Sequence, residues 1–139
     1  MSDSFSVLRD RRILVVDDSV QITSLLDEVF THCGSTVVTA NSGQDAMVML
    51  ASESFDLVIL DLIMPRPDGR DVLVFMRQAR PEILPRTLLL TGDRYHNNSA
   101  LSGIDESEIQ ILYKPFDLSL LRAAAACRLV KCAEVLGAA

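Results

Sequence analysis

Acidic residues stand directly after two of the most apolar runs of the chain, and no other feature restricts the fold as much. Ile13–Val16 leads into Asp17 and Asp18, and Leu57–Leu60 leads into Asp61. A run without a polar face is predicted to be a strand covered on both sides, and its first polar residue marks where that strand reaches water. The sequence therefore predicts a buried sheet with carboxylates at one edge.

Two later strands end in a similar way. Thr87–Thr91 closes on a hydroxyl residue, and Ile109–Tyr113 leads into Lys114 and then proline. Because the carboxyl ends of parallel strands lie at one edge of the sheet, the polar side chains at these ends are expected to meet there. They are Asp17, Asp18, Asp61, Thr91 and Lys114.

Strand-like and helix-like segments alternate along the chain. Ser19 is a good N-cap for the first helix, Gly34 ends it, and Asp117 can cap the last helix. Parallel neighbours need helical crossovers, so the predicted fold is α/β, a doubly wound five-stranded parallel sheet with helices on both faces. The predicted strands are Arg12–Val16, Thr36–Ala40, Asp56–Leu60, Thr87–Thr91 and Ile109–Tyr113.

One domain is predicted over residues 11–136, after an N-terminal extension of residues 1–10. Within the domain, Gly92–Ser107 carries the weakest pattern, because few of its apolar residues have helical spacing. The fourth helix is therefore expected to be short.

Composition excludes several classes of function. A formal net charge of −6 argues against direct binding of nucleic acid, which requires a basic face. No apolar stretch is long enough to span a membrane, and the first residues lack the pattern of a signal peptide. Cys33, Cys127 and Cys132 have no metal-binding spacing and are expected to be reduced, which favours the cytoplasm. His32 and His96 are interpreted as surface residues, not ligands.

The acidic residues indicate a site for a hard cation. Crowded carboxylates repel one another, and Mg²⁺ resolves this repulsion because it prefers oxygen ligands and binds carboxylates together with phosphate oxygens. Taken alone, Asp17 and Asp18 could be a helix cap, Lys114 a strand-end cation and Thr91 an ordinary last residue of a strand. Their joint position at one edge favours a phosphate-related metal site.

Four sequence motifs occur along the chain in the order Ile13–Ser19, Asp61–Gly69, Thr91-Gly92 and Lys114-Pro115-Phe116. Together they resemble the receiver domain of two-component response regulators, over residues 11–136. The resemblance implies the flavodoxin-like strand order 2-1-3-4-5. It also implies that Asp61 is the phosphoacceptor, that Mg²⁺ binds Asp17, Asp18, Asp61 and the backbone carbonyl of Ile63, and that Thr91 and Lys114 contact the phosphoryl group.

The resemblance further implies a signalling function. The donor would be a phosphohistidine on a sensor histidine kinase or a histidine phosphotransfer protein, and the phosphorylated surface would control a downstream target protein. Such a domain is not an enzyme in the usual sense, because it catalyses only its own phosphorylation and dephosphorylation. Mg²⁺ and Lys114 would offset the negative charge of the transferred group.

Two features depart from the pattern of the family. Many receivers carry an aromatic residue three positions before the lysine, where this chain has Ile111, and Tyr113 does not occupy that position. The usual coupling between Thr91 and the aromatic ring is therefore not expected here. In the last helix, the run Ala123–Ala126 followed by Cys127 could allow another helix to approach, so a homodimer is a hypothesis.

Several alternatives remain at this point. The chain stops soon after its last predicted helix, so a free-standing receiver is expected, but it could be the N-terminal part of a longer regulator. A receiver-like adaptor that works without phosphorylation is a second class. A flavodoxin-type module would need a glycine- and hydroxyl-rich loop where Asp17 and Asp18 stand. A phosphatase of the haloacid dehalogenase type would need aspartate at Ile63.

Overall fold

The structure, a computed structural model, describes residues 6–92 and 108–135, with side chains described as far as residue 130. In these ranges five parallel strands form one sheet in the order β2-β1-β3-β4-β5. The doubly wound parallel α/β fold and its strand order are therefore confirmed. The strands are β1 Arg12–Val16, β2 Thr36–Ala40, β3 Leu57–Asp61, β4 Thr87–Thr91 and β5 Gln110–Tyr113.

Four α-helices connect or flank these strands in the described residues. The first begins after Ser19, whose hydroxyl oxygen accepts a hydrogen bond from the Ile22 amide, as its capping role requires. Gly34, with a φ of 92°, lies just beyond the end of that helix. The helices are α1 Val20–His32, α2 Gly43–Ser52, α3 Gly69–Ala79 and α4 Leu118–Val135, with short 3-10 segments at Ser6–Leu8 and Pro81–Arg86.

The predicted boundaries of two strands need correction. Strand β3 begins at Leu57 rather than Asp56, because both the amide and the carboxylate of Asp56 bind the backbone of Arg12 at the margin of the sheet. It also extends to Asp61, which is in register with Leu90 of β4. Strand β5 begins one residue later than predicted, at Gln110.

The sheet is covered on both faces, which explains its apolar runs. Alternate side chains of β1 and β3 enter two separate cores. Leu14 and Val58 lie in the core that α2 and α3 complete, whereas Ile13 and Leu57 lie in the core that α1 and α4 complete. The first residues after these runs are therefore at the mouth of the sheet.

Residues from the predicted N-terminal extension contact the core. Leu8 is fully buried in the core formed with α1 and α4, and its carbonyl oxygen accepts a hydrogen bond from the Ser35 hydroxyl. The boundary at residue 11 stays a prediction. The short fourth helix and His96 were predicted in a segment that lies outside the described residues.

In the turn between β3 and α3, Gly69 lies so close to the backbone of residues 61 and 62 that a side chain would not fit. A Cβ at this position would lie 2.5 Å from the carbonyl oxygen of Asp61 and 2.5 Å from the Cα of Leu62. Both atoms belong to the backbone and cannot rotate away. The turn after Asp61 therefore requires glycine.

We expect Gly69→Ala to lower the free energy of unfolding by about 1–3 kcal/mol, because the added methyl group displaces the backbone next to Asp61. Urea denaturation measures this. Gly92→Ala is the matched control, since a Cβ at Gly92 meets no atom of the described residues within 4 Å. Equal stability of the two variants would contradict the close approach.

Candidate functional site

The carboxyl ends of the strands bring the predicted polar residues to one edge of the sheet. Asp17 directly follows β1, Asp61 and Thr91 end β3 and β4, and Lys114 directly follows β5. The amide of Lys114 donates to the carbonyl oxygen of Thr91 at 2.8 Å, which aligns the last two strands at this edge. The structure thus places residues from four strands around one point.

Lys114 bridges the two buried carboxylates. Its Nζ lies 2.9 Å from Oδ2 of Asp17 and 3.3 Å from Oδ2 of Asp61. Asp17 is 1% exposed and Asp61 is 3% exposed, so both charges are shielded from water. An ammonium at this distance supplies the compensating charge that buried carboxylates need.

A third carboxylate completes an acidic cluster. Oxygen atoms of Asp17, Asp18 and Asp61 all lie within 4.8 Å of one another. Asp18 is exposed, whereas the other two are buried, so the cluster opens to water on the side of Asp18. A set of carboxylate oxygens with one open side fits a small divalent cation that retains some of its water ligands.

Backbone amides fix the two buried carboxylates. The amide of Ser19 donates to Oδ1 of Asp17 at 2.9 Å, and the amide of Ile63 donates to Oδ1 of Asp61 at 3.3 Å. Each aspartate therefore has one oxygen bonded to the loop that follows its strand and its other oxygen next to Lys114. The role of the Ile63 carbonyl as a metal ligand stays a prediction.

The charges in this site perturb one another. Burial and the nearby negative charge of Asp17 raise the pKa of Asp61 from 3.8 to about 6, although Lys114 acts in the opposite direction. Burial alone would lower the pKa of Lys114, but its hydrogen bond to Asp17 and the charge of Asp61 outweigh burial and raise it. Lys114 is therefore a cation at neutral pH, and Asp61 is destabilised as an anion.

Strand β4 ends in a threonine, which is followed by glycine. Thr91 is fully buried at the end of β4, and the residue after it, Gly92, has no described atom within 4 Å of where a Cβ would lie. The backbone bond between Thr91 and Lys114 brings this hydroxyl residue to the same end of the sheet. All five predicted side chains are at the same edge of the sheet.

One residue at this edge was missed by the sequence analysis. Nδ2 of Asn41 donates to the carbonyl oxygen of Asp17 at 2.9 Å and to Oγ1 of Thr23 at 3.0 Å. Asn41 directly follows β2, so the rule that identified Asp17 and Lys114 applies to it as well. Its local sequence, Asn-Ser-Gly, is also typical of an ordinary turn, so the pattern alone does not mark it as part of a site.

The chain belongs to the receiver domain family of response regulators. A model of the response regulator receiver domain matches residues 13–126. Receiver domains of two-component systems are signalling proteins, and the predicted family is confirmed. None of the helices that the structure describes is long and apolar enough to cross a membrane.

Curated relatives with similar sequences are transcriptional regulators. The transcriptional regulatory protein TcrA of Mycobacterium tuberculosis is 35% identical over 79% of this chain and 42% of its own length. The transcriptional regulatory protein CpxR of Escherichia coli is 34% identical over 76% of this chain and 44% of its own length. The chain thus spans less than half the length of these relatives.

Solved receiver domains share the fold over nearly their whole length. The signal receiver domain of an HD domain-containing protein from Pseudomonas fluorescens Pf-5 is 31% identical with a TM-score of 0.79, and the match covers 91% of this chain and 99% of that one. TrrA of Thermotoga maritima, solved in complex with Mg²⁺ and BeF, is 31% identical with a TM-score of 0.72 over 86% and 99% of the two chains.

We expect Asp61→Asn to stabilise the metal-free protein. A folded-state pKa of about 6 against an ordinary 3.8 means that the ionised carboxylate opposes folding by about 3 kcal/mol above pH 6. Removing the charge should raise the free energy of unfolding by about 1–3 kcal/mol near pH 8, measured by urea denaturation with a chelator present. The advantage should shrink as the pH falls from about 6 to about 4, where the wild-type carboxyl becomes protonated.

Glu28→Gln is the control for loss of an acidic charge, since Glu28 is exposed on α1. It should change stability little at either pH. A gain from Asp61→Asn that is equally large at both ends of the pH range would contradict this explanation, and so would no gain near neutral pH.

Proposed function

We propose that this receiver accepts a phosphoryl group on Asp61 in a Mg²⁺-dependent reaction and switches its surface to control a partner protein. One observation carries the proposal: Nζ of Lys114 lies within 3.3 Å of both Asp17 and Asp61, inside a cluster of three carboxylates. A structural ion pair would need only one carboxylate. Three carboxylates around one lysine leave an excess of negative charge that a divalent cation can balance.

Asp61 is suited to act as the nucleophile. Its Oδ1 is bonded to the Ile63 amide, so Oδ2, which lies beside Lys114, is the oxygen assigned to attack. Attack on the phosphorus of a phosphohistidine forms the P–O bond while the P–N bond breaks, and the imidazole nitrogen leaves with the electron pair. Burial raises the free energy of the ionised carboxylate, which favours its reaction.

Asp17, Asp18 and Asp61 would hold Mg²⁺, which, when bound, supplies positive charge next to the phosphoryl oxygens. Lys114 supplies a second positive charge beside Oδ2 of Asp61. Once Asp61 is phosphorylated it no longer offers a full carboxylate charge to Lys114, so the ammonium is free to bond a phosphoryl oxygen. Hydrolysis of the acyl phosphate by the same site would reset the switch.

Thr91 is the residue proposed to report the phosphoryl group to the surface. Its side chain is buried at the end of β4, and its carbonyl oxygen accepts from the backbone amide of Lys114. A hydrogen bond from Thr91 to the phosphoryl group would therefore move the residues that follow Thr91. Position 111 holds a half-buried isoleucine packed against the core, not an aromatic ring. Repacking of an aliphatic side chain would therefore replace the ring movement of other receivers.

The partners follow from this chemistry. A sensor histidine kinase or a histidine phosphotransfer protein would supply the phosphoryl group, and a downstream protein would bind the switched surface. A longer regulator with an output domain is compatible with the proposal, because the match covers less than half of the curated relatives. A cytoplasmic location is part of the same proposal, and the free thiols of Cys33 and Cys127 fit a reducing compartment.

A homodimer through α4 is a secondary proposal, and the structure changes where it would form. Ala124, Ala125 and Ala126 are buried in the protein's own core, so they do not present a free surface. The exposed apolar residues of α4 instead follow one another at intervals of three and four residues, as in a coiled-coil seam. They are Leu120, Ala123, Cys127 and Val130.

Incubation with Mg²⁺ and a small acyl phosphate should add one phosphoryl group to the wild-type chain, because Asp61 is poised beside a cation and the metal site. Intact mass spectrometry measures the addition. Asp61→Asn should add none, since an amide is not a nucleophile for phosphorus. Lys114→Ala should reduce the labelling rate by at least about tenfold, because one of the two compensating charges is gone.

Asp27→Asn is the control for this experiment, since Asp27 lies on α1 and bonds only Thr31 among the described contacts. It should label as the wild type does. A folded wild-type chain that stays unlabelled with Mg²⁺ present would move the assignment to an adaptor that works without phosphorylation.

If α4 mediates a dimer, light scattering at high concentration should give twice the monomer mass for the wild type and the monomer mass for Leu120→Glu, because a charge in the seam opposes association. Val48→Glu is the control, since Val48 is an exposed apolar residue on α2. A wild type that is monomeric both with and without beryllofluoride, an analogue of the phosphoryl group, would rule out the dimer proposal.

A further inference from the structure

Asn41, which follows β2, bonds the backbone of the acidic pair, Asp17 and Asp18. All the polar groups of Asp17 are bonded: its amide donates to the Ala40 carbonyl, its carboxylate accepts from Ser19 and Lys114, and its carbonyl accepts from Asn41. The first three bonds come from the adjacent strand β2, from the residue two positions further along the chain, and from the residue that follows β5. Within the part of the chain that the structure describes, the amide of Asn41 is the group that bonds the carbonyl oxygen of Asp17.

That carbonyl belongs to the peptide group that joins Asp17 to Asp18. Rotation of this peptide plane would change the angle between the carboxylate of Asp17 and that of Asp18. Hydrogen bonds hold the carboxylate of Asp17 in place. Asp18 is exposed, so the direction of its carboxylate depends on the backbone that carries it. A hydrogen bond at the shared carbonyl therefore controls where the Asp18 carboxylate lies relative to that of Asp17.

Asn41 is itself anchored. Oγ1 of Thr23 donates to the Val20 carbonyl, so it accepts from Nδ2 of Asn41, and this fixes which end of the amide faces Asp17. Thr23 is buried on α1. Asn41 therefore connects the first turn of α1 to the end of β1.

The loop that carries Asn41 cannot shift freely. Two residues later, a Cβ on Gly43 would lie 2.1 Å from the carbonyl oxygen of Pro67, so the start of α2 is packed against the loop that follows Asp61. Ser42 caps α2 through its bond to the Asp45 amide. Residues 41–43 thus contact both the backbone of Asp17 and the loop that follows Asp61.

We infer that Asn41 is a positioning residue of the metal site, which sets the geometry of Asp17 and Asp18 by holding the peptide group between them. The inference rests on the proposed function, because it assigns a role toward the Mg²⁺ of that site. Asn41 does not contact the reacting atoms. Its effect is on how tightly the carboxylates bind a cation, not on the chemistry at Asp61.

Isothermal titration calorimetry with MgCl₂ tests this without any phosphoryl donor. Asn41→Ala should weaken Mg²⁺ binding by about tenfold, as expected when a group that orients metal ligands is lost. Thr23→Val removes only the anchor of Asn41 and should weaken binding by a smaller factor, about threefold. Should Asn41→Ala fail to fold, the Thr23 variant carries the test.

Ser42→Ala is the matched control, since it lies in the same loop and removes the cap of α2 without touching Asp17. It should lower the melting temperature and leave Mg²⁺ affinity within about twofold of the wild type. Affinity that is unchanged in Asn41→Ala, or equally weakened in Ser42→Ala, would overturn the inference, because loop stability and not the bond to Asp17 would then be the cause.

A second measurement detects the bond in the metal-free protein. The carbonyl carbon chemical shift of Asp17 should change in Asn41→Ala and stay the same in Ser42→Ala. An unchanged shift in Asn41→Ala would overturn the inference. A wild type that binds Mg²⁺ but takes no phosphoryl group would refute the proposed function while leaving the role of Asn41 standing, whereas a wild type that binds no Mg²⁺ would refute both.

Discussion

Two almost fully buried carboxylates face the same ammonium group at one edge of the sheet, and the rest of the site depends on this arrangement. Asp17 and Asp61 would repel each other if they stood alone in a medium of low dielectric. Burial and that repulsion raise the pKa of Asp61 to about 6, because Lys114 offsets them only in part. The site is therefore stable enough to fold but retains an excess of negative charge that a cation can balance.

The position of these groups follows from the apolar strands. Strands β1, β3 and β4 are buried on both faces over nearly their whole length, so the acidic residues Asp17 and Asp61 stand at the carboxyl ends of β1 and β3. The same property made the site predictable from sequence. Asp17, Asp61 and Lys114 were each identified as the first charged residue at the end of an apolar run, and the parallel order of the strands brings those ends together.

Other parts of the site depend on contacts that no local pattern encodes. Asn41 had the same signal as Asp17, a polar residue at a strand end, but its neighbours in the sequence are typical of a turn. The close approaches at Gly43 and Gly69 involve backbone atoms of residues 61–67 and could be recognised only with the loops in place. The start of β3 was misplaced by one residue because Asp56 bonds the backbone of Arg12 through its side chain.

The central claim is that Asp17, Asp18, Asp61 and Lys114 form a single site for a cation and a phosphoryl group. A crystal structure with Mg²⁺ and beryllofluoride, an analogue of the phosphoryl group, tests it most directly. We predict a metal ion held by the three aspartates, with one of Asp17 and Asp18 bound directly or through water, beryllofluoride on Asp61, and the Lys114 ammonium turned from Asp17 toward the analogue. A metal ion bound elsewhere, or beryllofluoride absent from Asp61 while Lys114 stays on Asp17, would contradict it.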